Sequence, residues 1–109
     1  MIHFFYELPF SLPNDEEDFQ RWIQLIIASE RKKEGDINYI FCNDEYLHKI
    51  NVDYLQHDTL TDIITFDYGK DNLLASDIYI SIERVRENAQ EFGVDFSTEL
   101  LRVMSHGIL

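Results

Sequence analysis

The 109-residue chain carries 21 acidic and 9 basic residues, a net charge of −12, with 45% hydrophobic residues, four glycines and two prolines. That is one domain's length and a folded composition able to bury a core, which excludes a disordered or low-complexity chain. The acidity weighs against a simple basic nucleic-acid surface, because phosphate contacts need Lys and Arg. An RNA-directed role would need a local positive site, a metal or a basic partner; otherwise the acidity serves solubility alone.

The opening stretch MIHFFYELPF lacks the basic region and small-residue cleavage site of a signal peptide. No apolar run approaches the roughly 18 residues of a membrane span. A soluble, cytoplasmic protein without membrane contact is expected. Cys42 is the one cysteine, so an internal disulfide is excluded. It sits in an apolar strand and is expected to be a buried, inert thiol.

Ile2 to Tyr6 is aromatic-rich and reads as a strand, after which Pro9 and Pro13 break the chain. Asn14 or Asp15 can cap a helix whose first turn is acidic. Phe19, Trp22, Ile23, Ile26 and Ile27 form its apolar stripe. Arg31-Lys32-Lys33 and Gly35 are expected to end it. Ile37 to Cys42 alternates and reads as a second strand, and Asn43 caps a short helix carrying Tyr46, Leu47 and Ile50.

After a polar stretch, Ile63 to Phe66 reads as a strand, Tyr68 to Asn72 as a turn and Asp77 to Ser81 as a fourth strand. Ser81 can cap a helix with Ile82, Val85, Ala89 and Phe92 on one face and Gly93 as terminator. Asp95 or Ser97 can cap a last helix with Leu100, Val103, Met104, Gly107 and Ile108 as its apolar residues. The order predicts an α/β (α+β) fold, a mixed four-stranded sheet covered by helices. No stop signal follows Leu109, and an uncapped apolar end is expected of a fragment cut from a longer chain.

By spacing alone the chemistry is sparse. The histidines are His3, His48, His57 and His106, with no pair at i, i+4. There is no Cys-x-x-Cys, no glycine-rich phosphate loop and no Gly-x-Ser-x-Gly. Phe19 and Trp22 fit a core stripe rather than a base-stacking platform, and Glu16, Glu17 and Asp18 fit a helix start rather than a catalytic cluster.

A set of ordered motifs adds to this. Asn43-Asp44-Glu45-Tyr46-Leu47 opens a helix after a strand, and residues 58–66 read Asp-Thr-Leu-Thr-Asp-Ile-Ile-Thr-Phe. Asp77-Ile78-Tyr79-Ile80-Ser81 follows, then Glu87 to Gly93, then His106-Gly107-Ile108-Leu109. Together they resemble the YbeY family of bacterial metal-dependent endoribonucleases. The second block resembles its Asp-x-Pro-Thr-Asp-Val-Leu-Ser-Phe, and the last the start of its zinc signature His-Gly-x-Leu-His-Leu-x-Gly-x-Asp-His. The likeness covers about two-thirds of the chain well and the first third loosely.

The resemblance implies that residues 1–109 are a single YbeY-like domain lacking its C-terminal end. His106 would be the first of three zinc ligands, with the other two beyond Leu109. Two histidines at i and i+4 lie on one helical face, and three imidazoles leave zinc a fourth position for water. Bound water then has a pKa near ~7 and supplies hydroxide. The implied function is a zinc-dependent, single-strand-specific endoribonuclease with one zinc per full-length chain. It would act in small-subunit ribosomal RNA 3′-end maturation and ribosome quality control. The implied partners are ribosomal RNA and the ribosome or its proteins. The fragment itself would be inactive, and no residue presents itself as general base.

The chain departs from the family at three places. Leu55 stands where the family has a cleft-facing arginine, Leu60 where its block has proline, and Ser76 where glycine precedes the fourth strand's aspartate. His57 is a substitute cation below roughly pH 6.5, or simply solvated. Thr61 and Asp62 line the cleft, or only turn into a strand. Asp77 orients a ligand histidine from behind, or is a polar residue at a strand end. His3 and His48 are ordinary, the latter on the exposed side of its helix. The competing class is a non-catalytic acidic module docking on a basic ribosomal protein; a third is a metal-dependent hydrolase of another phosphate or amide substrate.

Overall fold

The computed structural model describes residues 1–56 and 61–109. His57, and the 58–60 part of the second motif, lie outside the described residues. The elements are β1 (Ile2–Tyr6), α1 (Glu16–Ser29), β2 (Lys33–Cys42), α2 (Asp44–Leu55), β3 (Ile63–Asp67), β4 (Leu73–Ser81), α3 (Ile82–Phe92) and α4 (Phe96–Ile108). Their order is the one the sequence predicts. One sheet runs β1-β2-β4-β3. β1, β2 and β4 are parallel, and β3 pairs antiparallel with β4 through the tight connection at 68–72.

Pairing brings side chains of one strand into line with those of the next, and alternation sends them to opposite faces. Ile2, Phe4, Ile37, Tyr39, Phe41, Ile78 and Ile80 share one face, and Phe19, Ile23 and Ile27 of α1, Val85 of α3 and Leu100, Val103 and Met104 of α4 complete this main core. The opposite face carries Cys42, Ile64, Phe66 and Tyr79, covered by Leu47 and Ile50 of α2. The sheet therefore lies between three helices on one side and one on the other.

The caps explain several boundaries. Asn43 Oδ1 accepts from the Tyr46 N–H at 2.8 Å, and Ser81 Oγ from the Arg84 N–H at 3.3 Å. Gly93 ends α3 at φ 68°, left-handed backbone that suits glycine. Asp15 and Asp95 occupy the N-caps of α1 and α4 without a side-chain cap bond. Asp44 ties α2 to α3: it accepts from Ser81 Oγ at 2.6 Å and from Arg84 Nε at 3.1 Å, while its N–H donates to Glu83 at 2.8 Å.

Three details correct the sequence expectation. α1 stops at Ser29, with Arg31 taking the left-handed turn at φ 57°. Gly35 is no helix stop; it lies inside β2, where an added Cβ would sit 2.6 Å from the Leu74 carbonyl oxygen. The register shifts between Glu34 and Ile37, so the glycine serves a bulge. Phe92 is 59% exposed rather than part of the α3 core stripe. No helix among the described residues is long and apolar enough to cross a membrane.

Candidate functional site

α4 positions the first candidate residue. Its apolar stripe is pinned to the sheet at two points. The Tyr39 hydroxyl donates to the Met104 carbonyl at 2.8 Å. A Cβ on Gly107 would meet Ile63 Cδ1 at 2.8 Å and Ile78 Cγ2 at 3.0 Å. The glycine thus lets the last turn of α4 lie directly on β3 and β4. His106, its neighbour, is consequently turned outward and is exposed.

Glu99 and Arg102 precede His106 on the same side of α4, spaced i, i+3 and i+7. Glu99 is 1% exposed, and both its oxygens accept from Arg102, Oε1 from Nε at 2.8 Å and Oε2 from Nη2 at 2.6 Å. Arg102, with some help from Asn88, holds the Glu99 carboxyl below the usual carboxylate range against the opposing effect of burial. Asn88 Nδ2 also donates to Asp62 Oδ2 at 3.2 Å. Its amide therefore ties β3's entry to α3. The guanidinium carbon lies over the Phe92 ring, 5.9 Å from its centroid.

Thr61 and Asp62 are half-buried at the start of β3. Thr61 Oγ1 donates to the Ile63 carbonyl at 3.2 Å, and the Asp62 carbonyl accepts from the Ser81 N–H at 3.0 Å. The pair shapes the turn into β3, and Asp62 accepts from Asn88 of α3.

Asp77 goes elsewhere. It pairs with Asn38 and Phe66 in register, on the face opposite to Ile78 and Gly107. Asn38 Nδ2 donates to it at 2.9 Å and Tyr68 Oη at 3.2 Å. It stands near an open aromatic cleft of about 300 Å³ between Ile50, Tyr54, Phe66, Tyr68 and Tyr79. The sheet lies between Asp77 and His106. His3 lies on this face as well, aligned with Asn38. His48 is half-buried rather than exposed. Leu55 closes α2, 41% exposed.

Among the described residues no three of His, Cys, Asp and Glu cluster as a metal would require. His106 offers one imidazole, which alone does not hold zinc. A second cleft, of about 340 Å³, opens beside the end of α4 between Lys32, Thr65, Asp67, Ser76, Gly107 and Leu109. Cys42 is fully buried, its Sγ donating to the Ile80 carbonyl at 3.4 Å. Burial, with Glu7 and Asp44 nearby, pushes its thiol up to about 12.

The network of Asn88, Glu99 and Arg102 escaped the sequence reading. The available signal was a glutamate beside Leu100, Val103 and Met104 on a helix, three residues before an arginine.

Comparison with known proteins gives this geometry a context. Residues 9–109 match the family described as Endoribonuclease YbeY. Curated relatives named Endoribonuclease YbeY include one from Flavobacterium johnsoniae, 61% identical over all 109 residues, of which the chain spans 78%. Another, from Flavobacterium psychrophilum, is 56% identical over the whole chain and is spanned to 77%. A third, from Christiangramia forsetii, is 58% identical over 99% of the chain and is spanned to 75%. A solution structure of a Thermotoga maritima protein shares the fold at TM-score 0.67 and 25% identity, covering 99% of this chain and 69% of that one. With its five motifs in order and the match running from residue 9 to 109, the chain belongs to the YbeY endoribonuclease family.

Proposed function

We propose that the protein containing this chain is an endoribonuclease that cuts single-stranded RNA with the help of a bound zinc ion. The observation that carries the reading is the match of residues 9–109 to the endoribonuclease family. The 61% identity with a relative of that name supports it. His106 is proposed as the first zinc donor: it is exposed on the last turn of α4 and begins the motif the family resemblance identifies. The second and third imidazoles are proposed to come from residues beyond Leu109, and the relatives are longer than this chain. When bound, zinc would supply an activated water and charge neutralisation at a phosphodiester. The proposed substrate is ribosomal RNA at the small-subunit 3′ end, in the cytoplasm, with the ribosome or its proteins as partners.

The acidic docking module keeps one observation in its favour, the net charge of −12. The two readings part on a cleavage assay. The endoribonuclease shortens a single-stranded RNA, spares a duplex and loses activity to a chelator. A docking module leaves RNA intact, and its partner affinity falls with salt but not with chelator.

A further inference from the structure

The proposed RNA reading leaves a gap at the phosphate. Leu55 stands where the resemblance expects an arginine, and an apolar side chain gives a phosphodiester nothing to bind. α4 offers a replacement. Arg102 lies one helical turn before His106 on the same stripe, at a separation of roughly 5–6 Å between Cβ atoms. Its side chain is 53% exposed although its acidic partner's is only 2% exposed. The guanidinium is thus anchored from below and open above.

The anchoring is specific. Glu99 takes one N–H from Nε and one from Nη2. Arginine has five N–H donors in a rigid fork, so three remain for another acceptor. The guanidinium carbon lies over the Phe92 ring, 5.9 Å from its centroid. Asn88 Nδ2 donates to Asp62 at the entry to β3 at 3.2 Å, on the α3 side of the pair. The Glu99–Arg102 pair is close to neutral, and the Asp62 carboxylate also acts on the guanidinium, so the site carries no net positive charge. What it offers an anion is aimed donors whose orientation has been settled before binding, and such charge-assisted, forked contacts suit phosphate.

Resting on the endoribonuclease reading, we infer that Arg102 is the phosphate-contacting residue of this chain, replacing the arginine absent at position 55, and that Glu99 is its positioning residue. Other cations are less suited. Arg84 is engaged by both Asp44 and Glu87, at 3.1 and 2.5 Å, and lies at the start of α3. Lys32 shares its cleft with Glu30, Asp67 and Asp71.

The test uses the full-length protein, a single-stranded RNA oligomer and four variants: Arg102→Gln, Arg102→Lys, Glu99→Gln and the double variant Glu99→Gln/Arg102→Gln. Arg102→Gln should raise KM about tenfold or more, as expected for a lost charge-assisted bond, with kcat within about twofold. The slope of log affinity against log salt should shrink by about one. Arg102→Lys should keep the salt slope while raising KM, since it retains charge but not the fork. Glu99→Gln should raise KM in part, without changing the slope. The double variant, which leaves no buried charge unpaired, should match Arg102→Gln. It carries the test if Arg102→Gln is too unstable, and Arg102→Lys carries it if both are. A folded Arg102 variant with parental KM and salt slope overturns the inference, as does a loss confined to kcat. If the parent cleaves no RNA, the endoribonuclease reading fails separately. RNA affinity measured on the same proteins then decides, and affinity indifferent to Arg102 overturns the inference too.

Discussion

Replacing Gly107 by alanine perturbs the contact that seats α4 beside His106. The added Cβ would lie 2.8 Å from Ile63 Cδ1, 3.0 Å from Ile78 Cγ2 and 3.4 Å from Ile78 Cδ1. Carbon atoms rest at about 3.5–4.0 Å, so the helix end must lift by under ~1 Å or both isoleucines must shift. Overpacking of this kind costs about 1–3 kcal/mol. Alanine's helix propensity returns at most about 1 kcal/mol, and less near a helix end than in its interior. The net expectation is a loss of about 0–3 kcal/mol, or about 4–8 °C in Tm for each kcal/mol lost in a domain of about this size. Thermal and urea unfolding of the parent and Gly107→Ala give the value directly. A variant more stable than the parent by the full propensity gain would refute the close seating of α4 on β3 and β4. Gly93→Ala is the control. Nothing lies within 4 Å of its Cβ, but φ is 68°, so its expected loss of about 1 kcal/mol comes from backbone conformation alone.

Other consequences are open to measurement. Tyr39→Phe removes the hydroxyl that donates to the Met104 carbonyl and should cost about 0.5–1.5 kcal/mol in urea unfolding; an unchanged midpoint would contradict the bond. Cys42, buried with its thiol pushed up to about 12, should resist iodoacetamide at pH 8 and react once urea unfolds the chain. Rapid labelling of the folded protein would contradict that environment. Glu99 is held below the usual carboxylate range by Arg102. A lowered folded pKa means its contribution is present above the unfolded pKa and is lost as pH falls through the folded one. Stability should decline on acidification more steeply in the parent than in Glu99→Gln, and parallel curves would argue against the pair.

How far the sequence could carry these conclusions differs by residue. Phe19, Ile23 and Ile27 sit at helical spacing and all three are buried, because a one-sided stripe has only the sheet to face. Asn43, Ser81 and Gly93 marked ends through side-chain and backbone preferences that act locally. Gly35 misled for the opposite reason. A glycine after Arg31-Lys32-Lys33 looks like a helix terminator, but what it satisfies is the nearby Leu74 backbone, a partner distant in sequence. Asp77 was half legible: alternation with Ile78 and Ile80 puts it on the opposite face from the core, yet nothing local says which face α4 covers. Glu99 was missed because the helix was read by its apolar residues, whereas its burial depends on Arg102 and Asn88.

This chain is proposed to belong to an RNA-cutting enzyme whose site includes His106. The most direct test of this proposal is cleavage of a labelled single-stranded ribosomal RNA 3′-end fragment by the full-length protein, with the parent and His106→Ala compared side by side. The parent should give discrete internal cuts, lost on chelation and restored by zinc, and the folded variant a drop of at least about a hundredfold, as loss of a metal-site group produces. Equal cleavage by the two proteins, or none by a folded and zinc-supplied parent, would contradict it.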